Sequence, residues 1–363
     1  MSKKSILYIK LSDSPFITED ENILKDAFEV NSFTLKTAPR PAYAVSLLKM
    51  TLWLLCNIRH AHAVYAFFVS WYLIIPALLC RIAGVPLALS IGGFDANWLP
   101  ALAYGVYHKR ISRSLCGFVY RSASLIIPVH ASLVRVENRY SEYNTVKEGI
   151  LNLFDGIRGR IVVIPSGFDT DFWSPGDTEK ERVVLTVGNI KTGLNYELKA
   201  MADFVEAARR IPEYQFVHIG DYDPHLFDQL VAEPPGNLTL LGFVNHEELL
   251  SQLRRSKVYT QLSVSEGLPN SLIQAMLCGC IPVGSAVNGI PDIIGDAGFV
   301  VERRDAVAVK TAIRDAMNSA LAPRARERAA NRYAIAIRRN ELVRVFGELT
   351  SPPDGTRLHS KKS

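Results

Sequence analysis

The chain has 363 residues, of which 48% are hydrophobic and 21% are charged, a composition that excludes a disordered protein and provides for two domains of ordinary size. The formal net charge of +5 lies entirely in the first half, because residues 1–175 hold 18 Lys or Arg and 13 Asp or Glu, whereas residues 176–363 hold 23 of each. A basic first half attracts anions such as lipid head groups or phosphorylated substrates. The basic residues are dispersed without interleaved aromatic residues, which argues against nucleic acid as a partner.

Cysteine content and the opening segment predict a reducing compartment. The five cysteines are an odd number in a large chain, and residues 1–16 are too weakly apolar for a secretory signal peptide. We therefore expect a cytoplasmic location. Cys278 and Cys280 flank one glycine, a spacing that does not match a zinc site, and they are interpreted as buried thiols beside a turn.

Short apolar strands and helices alternate along the first half. Strands are predicted at Ile6–Lys10, Val64–Phe68, Pro86–Ile91, Ser124–Pro128 and Ile161–Ile164, with helices that include Tyr43–Cys56 and Trp71–Ala83. Residues 63–80 carry no charge and are just long enough for a transmembrane helix. A strand, a turn and a buried helix fit the same residues, and the alternation that continues in the next strand favours this second interpretation.

The second half repeats the alternation more clearly. Strands are predicted at Val183–Val187, Gln215–Ile219, Leu238–Leu241, Val258–Leu262 and Ile281–Val283, with helices such as Leu198–Arg210 and Glu247–Ser256. This pattern is typical of parallel sheets covered on both faces, so the predicted fold class is α/β with two Rossmann-like, doubly wound domains facing across a cleft.

Composition sets the predicted domain boundaries. A Pro-Gly pair at 175–176 and a polar run mark a linker, which gives an N-terminal domain at 1–175 and a C-terminal domain at 176–322. Residues 323–350 are predicted to form an Arg-rich helix that packs back toward the first domain. Residues 351–363 are predicted to be a disordered tail.

The segment SVSEGLPNSLIQAM, which begins at Ser263, carries the chemistry most specific to this sequence. Glu266 follows a predicted strand, and Pro269 suits the first turn of a helix whose free N–H groups attract an anion such as phosphate. Asn270 and Gln274 share one face of that helix and are separated by a rise of about 6 Å, the span from a phosphate to the far side of a ribose. A capped helix whose Glu and Gln face water fits the spacing equally well.

The same segment resembles the signature of glycosyltransferase family 4, retaining enzymes of the GT-B architecture. The family pattern is roughly S-x-x-E-G-x-P-x-x-x-x-E-A-M, and most positions match in order and spacing. The preceding segments VVIPSGFDTDFWSP and LTVGNI also resemble family segments, and the likeness covers residues 160–322.

The resemblance implies a donor site in the second domain. It assigns Glu266 to the transferred sugar, Lys199 to the diphosphate and position 274 to the nucleotide ribose. The expected donor-binding residues are Gly188, Asn189, Lys191, Gly267, Leu268, Pro269, Asn270 and Gln274. No cofactor and no metal are expected.

Three positions depart from the family pattern. The second acid of the signature is Gln274, whose amide can still bond ribose hydroxyls. Asn189 stands where the family usually has an arginine. Lys191 is a candidate replacement, although a lysine cannot form the two parallel hydrogen bonds of an arginine. A His of the first domain is replaced by IGGFDAN, where Gly92 and Gly93 let backbone approach a ligand on the acceptor side and Asp95 is the nearest polar candidate for a catalytic role. A turn-stabilising Asp is an equally good interpretation of Asp95, and His130 is left outside the site.

These observations predict a glycosyltransferase that moves a sugar from a nucleotide-diphosphate sugar to an acceptor with retention of configuration. The acceptor is expected to be a lipid-linked saccharide or another glycan in surface polysaccharide assembly. Peripheral contact with anionic membrane at the inner face of the cell membrane is expected from the basic first half. One alternative is a sugar-nucleotide epimerase on the same fold, although the paired acid and base expected in the first domain are missing. The other is a non-catalytic GT-B-like partner subunit.

Overall fold

Two parallel six-stranded sheets, one in each half of the chain, organise the computed structural model, which describes residues 3–37, 39–143, 147–177 and 179–351. The strands of the first half are β1 (Ser5–Lys10), β2 (Glu29–Thr34), β3 (Ala63–Phe67), β4 (Leu87–Ile91), β5 (Leu125–Pro128), the short antiparallel pair β6 (Val136–Glu137) and β7 (Lys147–Glu148), and β8 (Arg160–Ile161). The strands of the second half are β9 (Glu181–Val187), β10 (Gln215–Ile219), β11 (Leu238–Leu240), β12 (Ser256–Gln261), β13 (Ile281–Ser285) and β14 (Phe299–Val301).

Both sheets are doubly wound around their first strand, as predicted. Their strand orders are β2-β1-β3-β4-β5-β8 and β11-β10-β9-β12-β13-β14. The winding direction reverses between β1 and β3 in the first sheet and between β9 and β12 in the second. Ligands bind beyond the carboxyl ends of the strands at such a reversal, so the topology alone points to the ends of β9 and β12.

Helices cover both faces of each sheet. In chain order they are α1 (Pro15–Ala27), α2 (Arg40–Asn57), α3 (Ile74–Ala83), α4 (Arg110–Ser122), α5 (Ile150–Leu153), α6 (Gly193–Leu198), α7 (Met201–Arg210), α8 (Pro224–Leu230), α9 (His246–Arg255), α10 (Asn270–Leu277), α11 (Ile290–Ile294), α12 (Ala306–Asn318), α13 (Ala322–Tyr333) and α14 (Ile335–Leu349). Right-handed crossovers place α1 on one face of the first sheet and α2, α3 and α4 side by side on the other.

Two edge strands escape the sequence prediction. The strand β2 at one edge of the first sheet has the sequence EVNSFT, which is too polar to stand out as a buried strand. The strand β14 at one edge of the second sheet has only three residues. The uncharged segment 63–80 forms β3, a turn and most of α3, so the prediction of a strand followed by a helix is confirmed there.

The predicted helix Leu198–Arg210 is wrong at its start. The chain forms α6, turns at Ala200 with a left-handed φ of 47°, and only then forms α7. Lys199 therefore lies at the end of a short helix instead of inside a longer one. The carbonyl of Leu198 accepts a 3.0 Å hydrogen bond from the backbone N–H of Val264, which fixes this helix end beside the segment that follows β12.

The Arg-rich C-terminal segment forms two helices instead of the single one predicted. An extended residue, Ala334, separates α13 from α14. The helix α14 lies against α1, where Phe346 packs on Phe28 and Tyr65 at ring-centroid distances of 6.4 and 5.1 Å. Arg338 of α14 forms a buried ion pair with Asp20 of α1 at 2.5 Å. The last helix thus completes the first domain, and the predicted tail beyond Ser351 lies outside the described residues.

The chain crosses between the two domains twice, and the two crossings are joined. The backbone N–H of Phe168 donates to the carbonyl of Tyr333 at 2.8 Å, and its carbonyl accepts from the N–H of Ile335 at 2.9 Å. A parallel bridge pairs Phe168 with Ala334. The outgoing and returning segments therefore lie side by side at the boundary.

Candidate functional site

A cavity of about 870 Å³ lies where the carboxyl ends of β9 and β12 meet, facing the first domain. The cavity is lined by Phe16, Val187, Gly188, Asn189, Asn195, Lys199, Ile219, Gly220, Phe243, Val244, Asn245, His246, Leu249, Glu266, Leu268, Pro269, Asn270, Ser271 and Gln274. Phe16 is the contribution of the first domain to this lining. The structure therefore brings together eight of the predicted site residues, which come from segments as far apart in the sequence as positions 188 and 274.

Glu266 is the best-held side chain in the cavity. Its Oε1 accepts hydrogen bonds from Lys199 Nζ at 2.6 Å, Ser263 Oγ at 2.8 Å and Gln261 Nε2 at 3.0 Å. Its side chain is only 15% exposed. Three donors on one oxygen fix the orientation of this carboxylate. A carboxylate that binds one particular hydroxyl group needs such a fixed orientation. The interpretation of Glu266 as a solvent-facing residue of a capped helix is wrong.

Lys199 reaches the cavity past a glycine. A Cβ atom on Gly188 would lie 3.0 Å from both Cδ and Cε of Lys199, so the absence of a side chain at position 188 gives the lysine stem its path. A hydrogen bond from His218 holds this glycine in place, since the Nε2 atom of His218 lies 2.7 Å from the Gly188 carbonyl oxygen. Burial lowers the pKa of His218 to about 4, so the ring is neutral at pH 7 and donates to that carbonyl.

The first turn of α10 supplies polar groups beside this ion pair. Leu268 and Pro269 lead into the helix, and no side chain caps its first amides. Asn270 Oδ1 is buried and has no hydrogen-bond partner among the described residues, so it is free to accept a hydrogen bond from a ligand. Gln274 lies one turn further along and lines the same cavity. An anion at the helix start and a polyol beside Gln274 would satisfy these groups.

Two predicted donor-binding residues differ from each other in placement. Asn189 lines the cavity, and its Oδ1 accepts from the backbone N–H of Asp221 at 3.0 Å. Lys191 does not line the cavity: its Nζ pairs with the Asp221 carboxylate at 2.9 Å, and its side chain is largely exposed. This placement outside the cavity gives no support to its role as a replacement for the family arginine, which stays a prediction.

The loop of the first domain that carries Gly92 and Gly93 touches the signature segment directly. A Cβ atom on Gly267 would lie 2.0 Å from the carbonyl oxygen of Gly92, so the two backbones meet where no side chain fits. Asn97 of the same loop donates to Ser265 Oγ at 3.0 Å and to the Glu266 carbonyl at 2.9 Å. The acceptor-side loop and Glu266 are thus held together.

Asp95 supports this loop and does not reach the cavity. Its Oδ1 accepts from the backbone N–H groups of Gly92 and Gly93, and its Oδ2 accepts from that of Val69 at 3.0 Å. The carboxylate is buried, and burial raises its pKa although these backbone bonds act in the opposite direction. The catalytic assignment of Asp95 is therefore corrected in favour of the turn-stabilising alternative.

A buried polar cluster behind Glu266 was missed from the sequence. Glu148 accepts from the side-chain amide of Asn138 and, at 2.9 Å, from that of Asn288. Asn288 Oδ1 in turn accepts from the backbone N–H of Glu266 at 3.0 Å. Burial raises the pKa of Glu148 to about 7. These residues come from both domains, and the pair β6 and β7 beside Asn138 and Glu148 has no recognisable motif.

His130 also joins the two domains. Its Nε2 lies 3.2 Å from Asp292 Oδ2, and Arg332 donates to the same oxygen at 2.8 Å. The partners hold the pKa of Asp292 below its usual value despite partial burial. His130 therefore contributes to the domain boundary and does not line the cavity.

Comparison with known proteins identifies the second domain. Residues 167–334 match the family model described as glycosyl transferases group 1. The matched region spans the second domain and less than half of the chain. One relative is a component of phosphatidylinositol N-acetylglucosaminyltransferase from Arabidopsis thaliana, in which 194 residues align at 24% identity, covering 52% of this chain and 43% of the relative. The alignments span less than half the length of this and the other curated relatives compared.

Solved structures with the GT-B architecture cover nearly the whole chain. Anabaena HepE, in a complex with UDP and glucose, aligns with a TM-score of 0.67 and 15% identity over 95% of this chain and 100% of its own. Sucrose-phosphate synthase from Thermosynechococcus elongatus aligns with a TM-score of 0.74 and 17% identity over 96% and 99%. The predicted GT-B architecture is confirmed for both domains.

Proposed function

We propose that the protein is a glycosyltransferase that moves a sugar from a nucleotide-diphosphate sugar to an acceptor. The observation that carries the proposal is the convergence of Lys199, Glu266 and the start of α10 on one cavity at the reversal of the second sheet. A cation, an oriented carboxylate and free helix amides are the groups that a sugar diphosphate needs.

The donor would lie along the signature segment. The diphosphate would contact the start of α10 and Lys199, the sugar hydroxyls would contact Glu266, and the ribose would contact Asn270 and Gln274. Lys199 is paired with Glu266 at 2.6 Å. Lys199 would contact the donor phosphate while it remains paired with Glu266.

The transfer step breaks the bond between the anomeric carbon and the diphosphate oxygen and forms a bond from that carbon to an acceptor oxygen on the same face. The acceptor proton passes to the departing phosphate oxygen. Lys199 stabilises the negative charge that develops on this phosphate. No metal or cofactor is expected for this reaction.

The acceptor would bind between the cavity and the first domain, beside Phe16 and the loop at Gly92 and Gly93. A lipid-linked acceptor is supported by the basic first half and by the relative named for phosphatidylinositol. With such an acceptor, the protein would work at a membrane surface, and we propose the cytoplasmic face.

A thermal-shift panel of UDP-, GDP-, ADP- and dTDP-sugars tests donor binding on the intact chain. A ligand at a hundred times its Kd stabilises the folded state by about 2.7 kcal/mol, which raises Tm measurably. The donor selected in this way is then incubated with candidate acceptors, and the anomeric configuration of the product is determined by NMR. Donor binding without transfer or donor hydrolysis would favour the non-catalytic alternative, and a product of inverted configuration would contradict retention.

A further inference from the structure

The outer surface of the first domain carries an exposed apolar face on α2. Val45, Leu48, Leu52 and Leu55 recur at intervals of three and four residues and therefore form one stripe along the helix. Each is at least half exposed, with Leu48 at 60%. A stripe at this spacing normally faces a core, but the core-facing side of α2 is formed by Ser46, Met50 and Leu54. The helix thus has a second apolar side that nothing in the described structure covers.

A second stripe on α3 lies beside the first. Ile75, Leu78 and Ile82 have the same spacing and are exposed, with Ile82 at 80%. The two helices pack against each other, and the rings of Tyr43 and Trp71 meet at 5.6 Å where the helices begin. The two stripes are therefore neighbours on one surface, which we call the α2–α3 face. Isolated exposed apolar residues are common, but a contiguous patch of this kind marks an interaction site.

The segment Arg40–His60, which is α2 with a following turn, is long and apolar enough to cross a membrane, with a mean hydropathy of 1.3. It is the one such helix among the described residues. The topology opposes a span. The helix connects β2 to β3, and both strands belong to the same sheet, so the helix lies along that sheet. Its buried residues Met50 and Leu54 are part of the core of the first domain.

The chain segment that contains the α2–α3 face is strongly basic. From Val30 to Val136 the sequence contains ten Lys or Arg and a single acid, Asp95, which is buried in the loop described above. The exposed cations include Lys49, Arg59 and Arg81 on these helices and their ends. An apolar surface on so basic a segment is complementary to a bilayer with anionic head groups.

We propose that the α2–α3 face docks on an anionic membrane surface, with the apolar stripes at the level of the acyl chains and the cations at the head groups. A second copy of this chain is a poorer occupant, because a twofold interface would bring the same basic surface against itself. The proposal does not depend on the glycosyltransferase activity. Where that activity holds, docking would also present the cleft to the membrane, since Trp71 and Phe68 lie at the cleft edge of the first sheet and Phe68 packs on Phe16 of the cavity at 5.9 Å.

Vesicle flotation with the full chain tests the proposal. Wild-type protein is expected to float with phosphatidylcholine vesicles that contain 30% phosphatidylglycerol, to bind pure phosphatidylcholine at least tenfold more weakly, and to be partly released by 0.5 M NaCl. Leu48→Glu combined with Leu52→Glu is expected to weaken binding to anionic vesicles at least tenfold, because it removes two apolar side chains and adds two negative charges at the surface.

The matched control places the same two changes on the second domain. Leu230→Glu combined with Val307→Glu alters exposed apolar residues far from the proposed face and is expected to float like wild type. Circular dichroism melting of both variants checks that they are folded. The variant that combines Arg59→Gln with Arg81→Gln is expected to bind anionic vesicles several-fold more weakly than wild type. Its binding is also expected to be less sensitive to NaCl.

Several results would overturn the proposal. Unchanged flotation of the Leu48/Leu52 variant would remove the face from membrane binding. Equal binding of wild type to neutral and anionic vesicles would remove the role of the cations. A wild-type dimer in analytical ultracentrifugation that becomes monomeric in the Leu48/Leu52 variant would assign the face to self-association instead.

Discussion

The two domains have the same topology but use their surfaces differently. In the second domain the outer helices carry paired charges, such as Glu206 with Arg210 on α7. The polar side chains of the cavity converge at the carboxyl ends of the central strands. In the first domain the outer helices α2 and α3 expose apolar stripes, and the segment that contains them is basic. One strand order therefore supports a cavity in one domain and an exposed apolar face in the other. The difference shows that function depends on loops and surfaces rather than on the fold itself.

The largest expected effect tests whether α14 is part of the core of the first domain. Arg338→Met leaves Asp20 buried without its ion-pair partner, which is expected to lower the free energy of unfolding by about 3–5 kcal/mol in chemical denaturation. Arg339→Met on the same helix removes only an exposed pair with Asp26 and is expected to cost less than about 1 kcal/mol. Equal effects of the two changes would mean that α14 is not part of that core.

The next prediction concerns the cavity of the second domain. Lys199→Ala removes the cation from the departing phosphate and is expected to lower kcat by about 10²–10³-fold with little change in Tm. Lys191→Ala removes a lysine of the same loop region that pairs with Asp221 outside the cavity, so its kcat is expected to stay within about threefold of wild type. Normal turnover of the Lys199 variant would remove this residue from the mechanism.

A smaller effect is expected at the boundary between the two domains. Burial raises the pKa of Glu148 from 4.5 to about 7, so the folded protein retains this proton between pH 4.5 and 7 while the unfolded chain loses it. Stability is therefore expected to fall as pH rises through this window, by up to about 3 kcal/mol, and to level off above pH 7. Glu148→Gln cannot ionise and is expected to lack this part of the pH dependence in denaturation curves at pH 5 and pH 8. An unchanged slope in the variant would contradict the assignment.

The smallest expected effect separates two roles within the signature segment. Gln274→Glu is expected to tighten binding of free nucleotide diphosphate by up to about tenfold, since a hydrogen bond to a charged group is worth about 1.5–3 kcal/mol against about 1 for a neutral one. Glu266→Gln is expected to lower turnover while leaving that affinity nearly unchanged. Isothermal titration and transfer assays measure both quantities. If Gln274→Ala binds nucleotide as well as the parent, the ribose role of Gln274 is wrong.

The sequence predicted what depends on local pattern. Buried parallel strands such as β3 and β10 are continuous apolar runs, and the segment from Ser263 to Gln274 carries enough specific residues to indicate the candidate cavity. The polar edge strand β2 was missed because its place in the sheet comes from pairing with its neighbour β1 and not from its own composition.

Contacts between distant residues were beyond the sequence. The placement of Asp95 under its loop, of Lys191 against Asp221, and of Glu148 against Asn288 depends on which side chains meet after folding. The apolar stripe of α2 was likewise hidden, because an apolar helix is normally interpreted as a core helix and only the folded domain shows which side of it remains uncovered.

The return of α14 to the first domain has a consequence for synthesis of the chain. Residues 1–175 leave the ribosome first, but the guanidinium of Arg338 that neutralises Asp20 and the ring of Phe346 that packs on Tyr65 arrive only after the whole second domain has been made. The first domain therefore lacks these two side chains, and part of its interior stays uncovered, until the second domain has been synthesised. A chain stopped after the second domain would have the candidate cavity but a first domain without Arg338 and Phe346.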